Sequence, residues 1–259
     1  MEKISTLLVP YDFSESAERA LDYAVAFVGR NDDMTIILAR ISGHRELDLP
    51  PEDYQDVVEK YRSELKNELE WITREGGLTE ALLDIQGNKQ IDLIVMGTGG
   101  SKDKATGTNT SKLALEADCP VMVVPQGYSG FRVKRIALVL GKKEIDDAQV
   151  LGTLLDVARR FNAVVHVLTI KNTPGIYGYS EADRKNESTI RYYLEHFFTQ
   201  HSFIENTDIV AGIMDYAQNN LIDMIGILPR NHAQRSAPSE GELTKELSLR
   251  SKIPILAMD

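Results

Sequence analysis

Short apolar runs rich in β-branched residues alternate along this chain with stretches whose apolar residues recur every three or four positions. Runs of the first kind make buried strands and the second make amphipathic helices, so the alternation predicts an α/β protein built around parallel sheet. Thr6–Val9 (TLLV) reads as the first strand, broken by Pro10. Ser14 is placed to cap a helix whose Ala17, Ala20, Leu21, Ala24, Val25 and Val28 share one face before Gly29. Met34–Ile41 reads as a buried second strand. After the loop Ser42–Pro51, Tyr54, Val57, Val58, Tyr61, Leu65, Leu69 and Ile72 keep helical spacing, and the pattern predicts one long helix stopped by Gly76 and Gly77. A short helix from Thr79, the strand Ile91–Met96, a glycine-rich loop, a helix over Ser111–Ala117 and the strand Val121–Val124 complete the unit.

After the turn-rich linker Gln126–Gly130 the same order begins again. Strands are expected at Arg135–Leu140, Ala163–Ile170, His201–Glu205, Asp223–Leu228 and Ile255–Met258, with helices at Asp146–Phe161, Glu181–Phe198, Asp208–Asn219 and Glu242–Leu249. The halves align at nearly constant offset: 129 for MTIILARI on AVVHVLTI, 131 for IDLIVM on IDMIGI, and 134 for CPVMVV on IPILAM. Alternation alone would not repeat Ile-Asp before one strand and Pro before the last, so the chain reads as a duplication, with domains at 1–127 and 132–259. HSFIE lacks a counterpart in the first half, which is therefore expected to be without strand 3.

Composition changes the picture little: 259 residues with 42% hydrophobic and 26% charged belong to an ordinary globular chain. Charge placement matters more. Residues 1–127 carry 13 Lys and Arg against 23 Asp and Glu, net −10, whereas 128–259 carry 16 against 16. An acidic surface repels phosphate backbones, so no nucleic-acid partner is expected. No apolar run approaches the roughly 20 residues needed to span a bilayer, which predicts no membrane association and a cytoplasmic protein. Cys119 stands alone, which excludes an intrachain disulfide and a thiolate metal site. The five histidines, His44, His166, His196, His201 and His232, show no metal-binding spacing.

In an open parallel sheet ligands lie beyond the carboxyl ends of the strands, where strand order reverses. That directs attention to Pro10, Tyr11 and Asp12 after the first strand, and to Met96, Gly97 and Gly100 after the fourth. Glycines let backbone approach an anion, and Gly107, Thr108, Asn109 and Thr110 would bring amides and hydroxyls to a helix start. Taken singly, Asp12 reads more readily as a helix cap than as a ligand contact, and the glycines as turn residues. The loop is neither a dinucleotide GxGxxG nor a Walker loop.

LLVPYDFSESAERALDYA, IDLIVMGTGG, the GTNTSKL helix start and CPVMVVP together resemble the universal stress protein family, here as a tandem of two domains. The resemblance implies doubly wound sheets of strand order 3-2-1-4-5, of the adenine-nucleotide α-hydrolase-like kind, and in many members an ATP or other adenine-nucleotide site, with Mg²⁺ as companion ion. Carried over by position, it implies Asp12 at the nucleoside, the backbone near Ile41 at adenine, Gly97 and Gly100 at ribose and first phosphates, and Gly107 with Thr108 at the terminal phosphates. Two departures stand out. Six residues separate Gly100 from Gly107 where nucleotide-binding members have nine, and Gly99 occupies a position commonly basic. In the second half Lys142 or Lys143 replaces Asp12, and Leu228-Pro229-Arg230-Asn231-His232 replaces the glycine loop, so that copy is expected to be degenerate. No catalytic base or nucleophile can be named; slow ATP hydrolysis is the most that enzymatic readings offer. Two functions remain open: an adenine-nucleotide sensor acting on an unknown protein partner in stress response or signalling, and an interaction module without ligand. The resemblance also implies that the last strands of the two domains pair into an intrachain pseudo-dimer, with homodimerisation through outer faces open.

Overall fold

The computed structural model describes residues 3–31, 33–43, 51, 53–98, 109–141, 144–145, 147–171, 179–229 and 239–258. Ile4–Phe131 makes one compact unit and the chain from Arg132 onward another. In the first, strands β1 (Thr6–Pro10), β2 (Thr35–Ser42), β3 (Glu70–Glu75), β4 (Leu93–Gly97) and β5 (Val121–Val124) alternate with helices α1 (Glu15–Val28), α2 (Tyr54–Tyr61), α3 (Leu78–Asn88) and α4 (Asn109–Glu116). In the second, β6 (Arg135–Leu140), β7 (Val164–Lys171), β8 (Phe198–Glu205), β9 (Met224–Ile227) and β10 (Ile255–Ala257) alternate with α5 (Leu151–Phe161), α6 (Glu181–Leu194), α7 (Ile209–Asn219) and α8 (Ser239–Arg250). All pairings within each unit are parallel, in the orders β3-β2-β1-β4-β5 and β8-β7-β6-β9-β10. Both are the expected 3-2-1-4-5 order.

One expectation is overturned. The first domain lacks no strand, because Glu70–Glu75 pairs with β2 from Ile37 to Ser42 as strand 3. The long helix predicted through Ile72 ends at Tyr61. Leu65 and Leu69 are buried in the connection that follows, where Asn67 Nδ2 donates to Met34 O at 2.8 Å and Tyr54 donates its hydroxyl to Leu69 O. The three-or-four spacing of Leu65, Leu69 and Ile72 coincided with helical period, but Trp71-Ile72-Thr73 is β-branched and aromatic and fits a pleated edge. Trp71 accordingly leaves its expected helix for β3, where it meets Tyr54 edge to face at 5.1 Å between ring centres.

The repeated Ile-Asp and Pro have the same physical cause in both units. Asp92 Oδ2 accepts from Ser5 N at 2.9 Å, Ser5 Oγ at 2.6 Å and Thr6 N at 2.8 Å. Asp223 Oδ2 accepts from Lys134 N at 2.8 Å and Arg135 N at 2.9 Å. Each carboxylate thus satisfies backbone donors where a central strand enters the sheet, donors that would be costly to leave unpaired. Likewise Ile94 N donates to Pro120 O and Ile225 N to Pro254 O, fixing the register of the last strand. The core lies between helices and strands, with Leu7, Leu8, Ile94 and Met122 wholly buried in one unit and Leu138, Val167 and Ile225 in the other.

Candidate functional site

The chain leaves β1 through Tyr11, Asp12 and Phe13. Tyr11 N extends the ladder by donating to Ala39 O at 2.8 Å. Phe13 then turns the chain with φ 63°, a left-handed conformation uncommon for a non-glycine residue and costly enough to need support. Support comes from its ring, 4.9 Å from Tyr11 and 6.2 Å from Trp71 between centres. Asp12 Oδ1 accepts from Ser14 N at 3.0 Å, and Ser14 Oγ accepts from Ala17 N at 3.3 Å, capping α1 as its sequence predicts. Asp12 is therefore both an exposed carboxylate and a brace for the turn.

A cleft of about 290 Å³ opens at the carboxyl ends of these strands. Pro10 at the end of β1 with Tyr11 and Asp12 just after it, Ile41 from β2, and Met96 with Gly97 from β4 line it together. Ser14, Ser16 and Ala17 of α1, Ala39, Gly76 and Leu78 complete the described wall. Asn109 and Thr110 open α4 and are not among the lining residues; Thr110 is buried. Gly99, Gly100, Gly107 and Thr108 lie outside the described residues, as do Lys142, Lys143, Arg230, Asn231 and His232 of the second domain.

Two glycines shape the cleft for identifiable reasons. A Cβ on Gly97 would stand 2.1 Å from Ser16 O and 2.8 Å from its carbonyl carbon, so glycine is what lets the first turn of α1 rest against the end of β4. Gly76 has φ 122°, which side chains rarely adopt, and its N–H donates to Ser42 O at the exit of β3. Gly76 and Leu78 follow a strand whose apolar spacing also fits a helix, so the Gly76-Gly77 pair, the one signal there, reads from sequence as a helix stop. Ser16, Ala17 and Ala39 carry no signal by residue type.

Electrostatically the described wall is poor in charge, with Asp12 its single ionised side chain. Tyr11 is buried, and its hydroxyl is pushed up to about 12, first by desolvation and then by Glu18, Asp22 and Asp12. Tyr61 donates to Asp22 Oδ1 at 2.5 Å behind the same corner, and burial followed by that hydrogen bond drives its ionisation upward as well. Both phenols are neutral donors at physiological pH. Apolar Ala39, Ile41, Ala17 and Met96 beside the hydroxyls of Ser14 and Ser16 give a surface that can take a flat heterocycle and hydroxylated groups. Among the described residues no cluster of three His, Cys, Asp or Glu could hold a metal ion, and no helix is long and apolar enough to cross a membrane.

Comparison with known proteins agrees with this geometry. Residues 3–125 match the model of the universal stress protein family, which takes in all five strands of the first unit. Over both units the fold resembles a universal stress protein from Archaeoglobus fulgidus, with TM-score 0.68 at 15% identity, covering 98% of this chain and 96% of that one. It also resembles the cytoplasmic domain of a prokaryotic cation chloride cotransporter, with TM-score 0.56 at 9% identity, covering 98% and 95%. No curated protein matches the sequence. The fold is that of a doubly wound α/β protein with a cleft at its switch point. The first domain is thus similar to the universal stress protein family.

Proposed function

We propose that the first domain is an adenine-nucleotide sensor, with ATP as the leading ligand, and that the second is a degenerate copy with a structural or regulatory part. The observation that carries this reading is the convergence of Pro10, Tyr11, Asp12, Ile41, Met96 and Gly97 on one cleft. In it the apolar wall of Ala39 and Ile41 faces the base, and the Asp12 carboxylate accepts from ribose hydroxyls. The glycine loop, with Gly100, Gly107 and Thr108, meets the phosphates and an accompanying Mg²⁺. Because the lining comes from β1, α1, β2, the start of α3 and β4, a ligand that binds one arrangement of these elements better than another shifts the population a protein partner would recognise. That partner is expected in the cytoplasm, in stress response or signalling.

One observation favours a second reading, an interaction module without ligand: packing against Ser16 already accounts for Gly97. The two readings part on one measurement. Full-length protein purified without added nucleotide is denatured and the released small molecules are identified, and ATP binding is followed by calorimetry with Mg²⁺. Recovery of adenine nucleotide near one per chain, or saturable binding lowered about tenfold or more in Asp12→Ala, supports the sensor. No release and no binding at millimolar ATP leaves the interaction module.

A further inference from the structure

The acidic first domain holds a carboxylate on its cleft wall, so a phosphate-bearing ligand needs positive charge from somewhere nearby. Two cations are each tied to a carboxylate of α3, the helix that opens at the cleft residue Leu78. Arg74 pairs with Ile41 in the β2–β3 register, so the two side chains leave the sheet on the same face, and Gly76 of the cleft wall follows two residues later. Its Nε lies 3.3 Å from Asp84 Oδ2, and its Nη1 donates to Thr73 O at 2.9 Å. Lys112 reaches across from α4 to place Nζ 2.9 Å from Glu80 Oε1. The other Glu80 oxygen rests against the backbone at Gly77, 2.2 Å from where a Cβ would be, between the cleft residues Gly76 and Leu78.

Glu80 and Asp84 are four residues apart on α3, one turn of about 6 Å, so the carboxylates that hold the two cations stand one above the other on the same helix. Both pairs are open to solvent, Arg74 being 32% exposed and Lys112 47%, and exposed ion pairs contribute little. Either cation can therefore exchange its carboxylate for another anion at small cost, while a phosphate offers more acceptor oxygens and more charge than the carboxylate it displaces.

We propose that Arg74 and Lys112 together supply the positive charge that receives the phosphate of a ligand in this cleft, exchanging Asp84 and Glu80 for it. They take over the role left open by Gly99. The assignment rests on the nucleotide reading above. It is tested on the full chain by calorimetry with two probes, ATP and adenosine, so that loss of the phosphate contact is separated from loss of the base site. Wild type should prefer ATP. Arg74→Gln and Lys112→Gln should each weaken ATP about tenfold and leave adenosine unchanged, Arg74→Lys should keep part of the ATP affinity, and Glu80→Gln should raise it severalfold. ATP affinity unchanged in both glutamine variants overturns the assignment while the nucleotide reading stands. Equal losses for ATP and adenosine overturn it too, by making the residues structural. Failure of wild type to bind either probe removes the nucleotide reading and this assignment with it.

Discussion

The end of β4 in the first domain and the end of β9 in the second occupy the same place in the same framework and do opposite things. The offset of 131 that relates Asp92 to Asp223 relates Gly97 to Leu228. At Gly97 the main chain of α1 comes within a distance no side chain allows, and α1 begins at Glu15. The corresponding position in the second domain, Glu15 plus 129, is Glu144, yet α5 begins at Leu151 after a 3₁₀ turn at Ala148–Val150 that Asp147 caps. A leucine at the strand end and a helix that starts seven residues late in register occur together in the second domain.

The comparison breaks hardest at that residue. Gly97→Leu, which copies the second domain into the first, should cost about 3 kcal/mol or more of first-domain stability in urea unfolding, because the clash is with backbone that cannot rotate away. Leu228→Gly should cost less than this, since it removes a buried apolar side chain without any main-chain collision. If Gly97→Leu unfolds like wild type, the close approach does not hold α1 in place.

The shared part of the framework is sharpened by the two aspartates. Asp92→Ala and Asp223→Ala should each cost about 2 kcal/mol, since each strands two backbone donors, and the losses should be alike within the scatter of such measurements. A large loss at one and none at the other would falsify the equivalence of the two strand entries.

The smallest expected contrast is in pH. Tyr11, Tyr54 and Tyr61 in the first domain all have their ionisation pushed above 10.0, burial being the first cause in each. Folding therefore favours the neutral phenol, the stabilisation is complete below pH 10, and it is lost as pH rises through about 12, the value for Tyr11. The second domain shares the alkaline direction at Tyr179, whose hydrogen bond to Glu187 pushes it up to about 12, and adds a sensitivity of opposite sign. Burial first, then Arg135, pushes His166 below 6.5, while its Nδ1 meets the Tyr216 hydroxyl at 3.0 Å. Neutral imidazole is favoured in the fold, so this contribution to stability is complete above pH 6.5 and is lost as pH drops below it. Tyrosinate absorbance with the fluorescence of Trp71, the chain's single tryptophan, follows the alkaline limb. His166→Gln should remove the acid one.

Much of the architecture was readable from residues in order, for reasons the structure makes concrete. Ile91-Asp92 and Ile222-Asp223 repeat because each carboxylate holds the entry of a central strand, and Pro120 and Pro254 repeat because each carbonyl sets the last register. Ser14 could be named as a cap because the chemistry of capping is local. Strand 3 was lost because Leu65, Leu69 and Ile72 satisfy helical period by coincidence, and only pairing with β2 arbitrates between helix and edge strand. With it went Gly76, Leu78 and Arg74.

By itself the amino-acid order determined that this is a duplicated α/β chain, which strands are central, and which residues follow the ends of the first and fourth strands, since apolar period, turn chemistry and repetition are properties of neighbours along the chain. Tertiary structure alone decided that Ile41, Met96 and Asp12 share one cleft and that Gly97 serves packing. It also decided that Arg74 and Lys112 stand beside one helix. Each of these is a contact between segments far apart in sequence, brought together by strand order and main-chain approach, which no local pattern encodes.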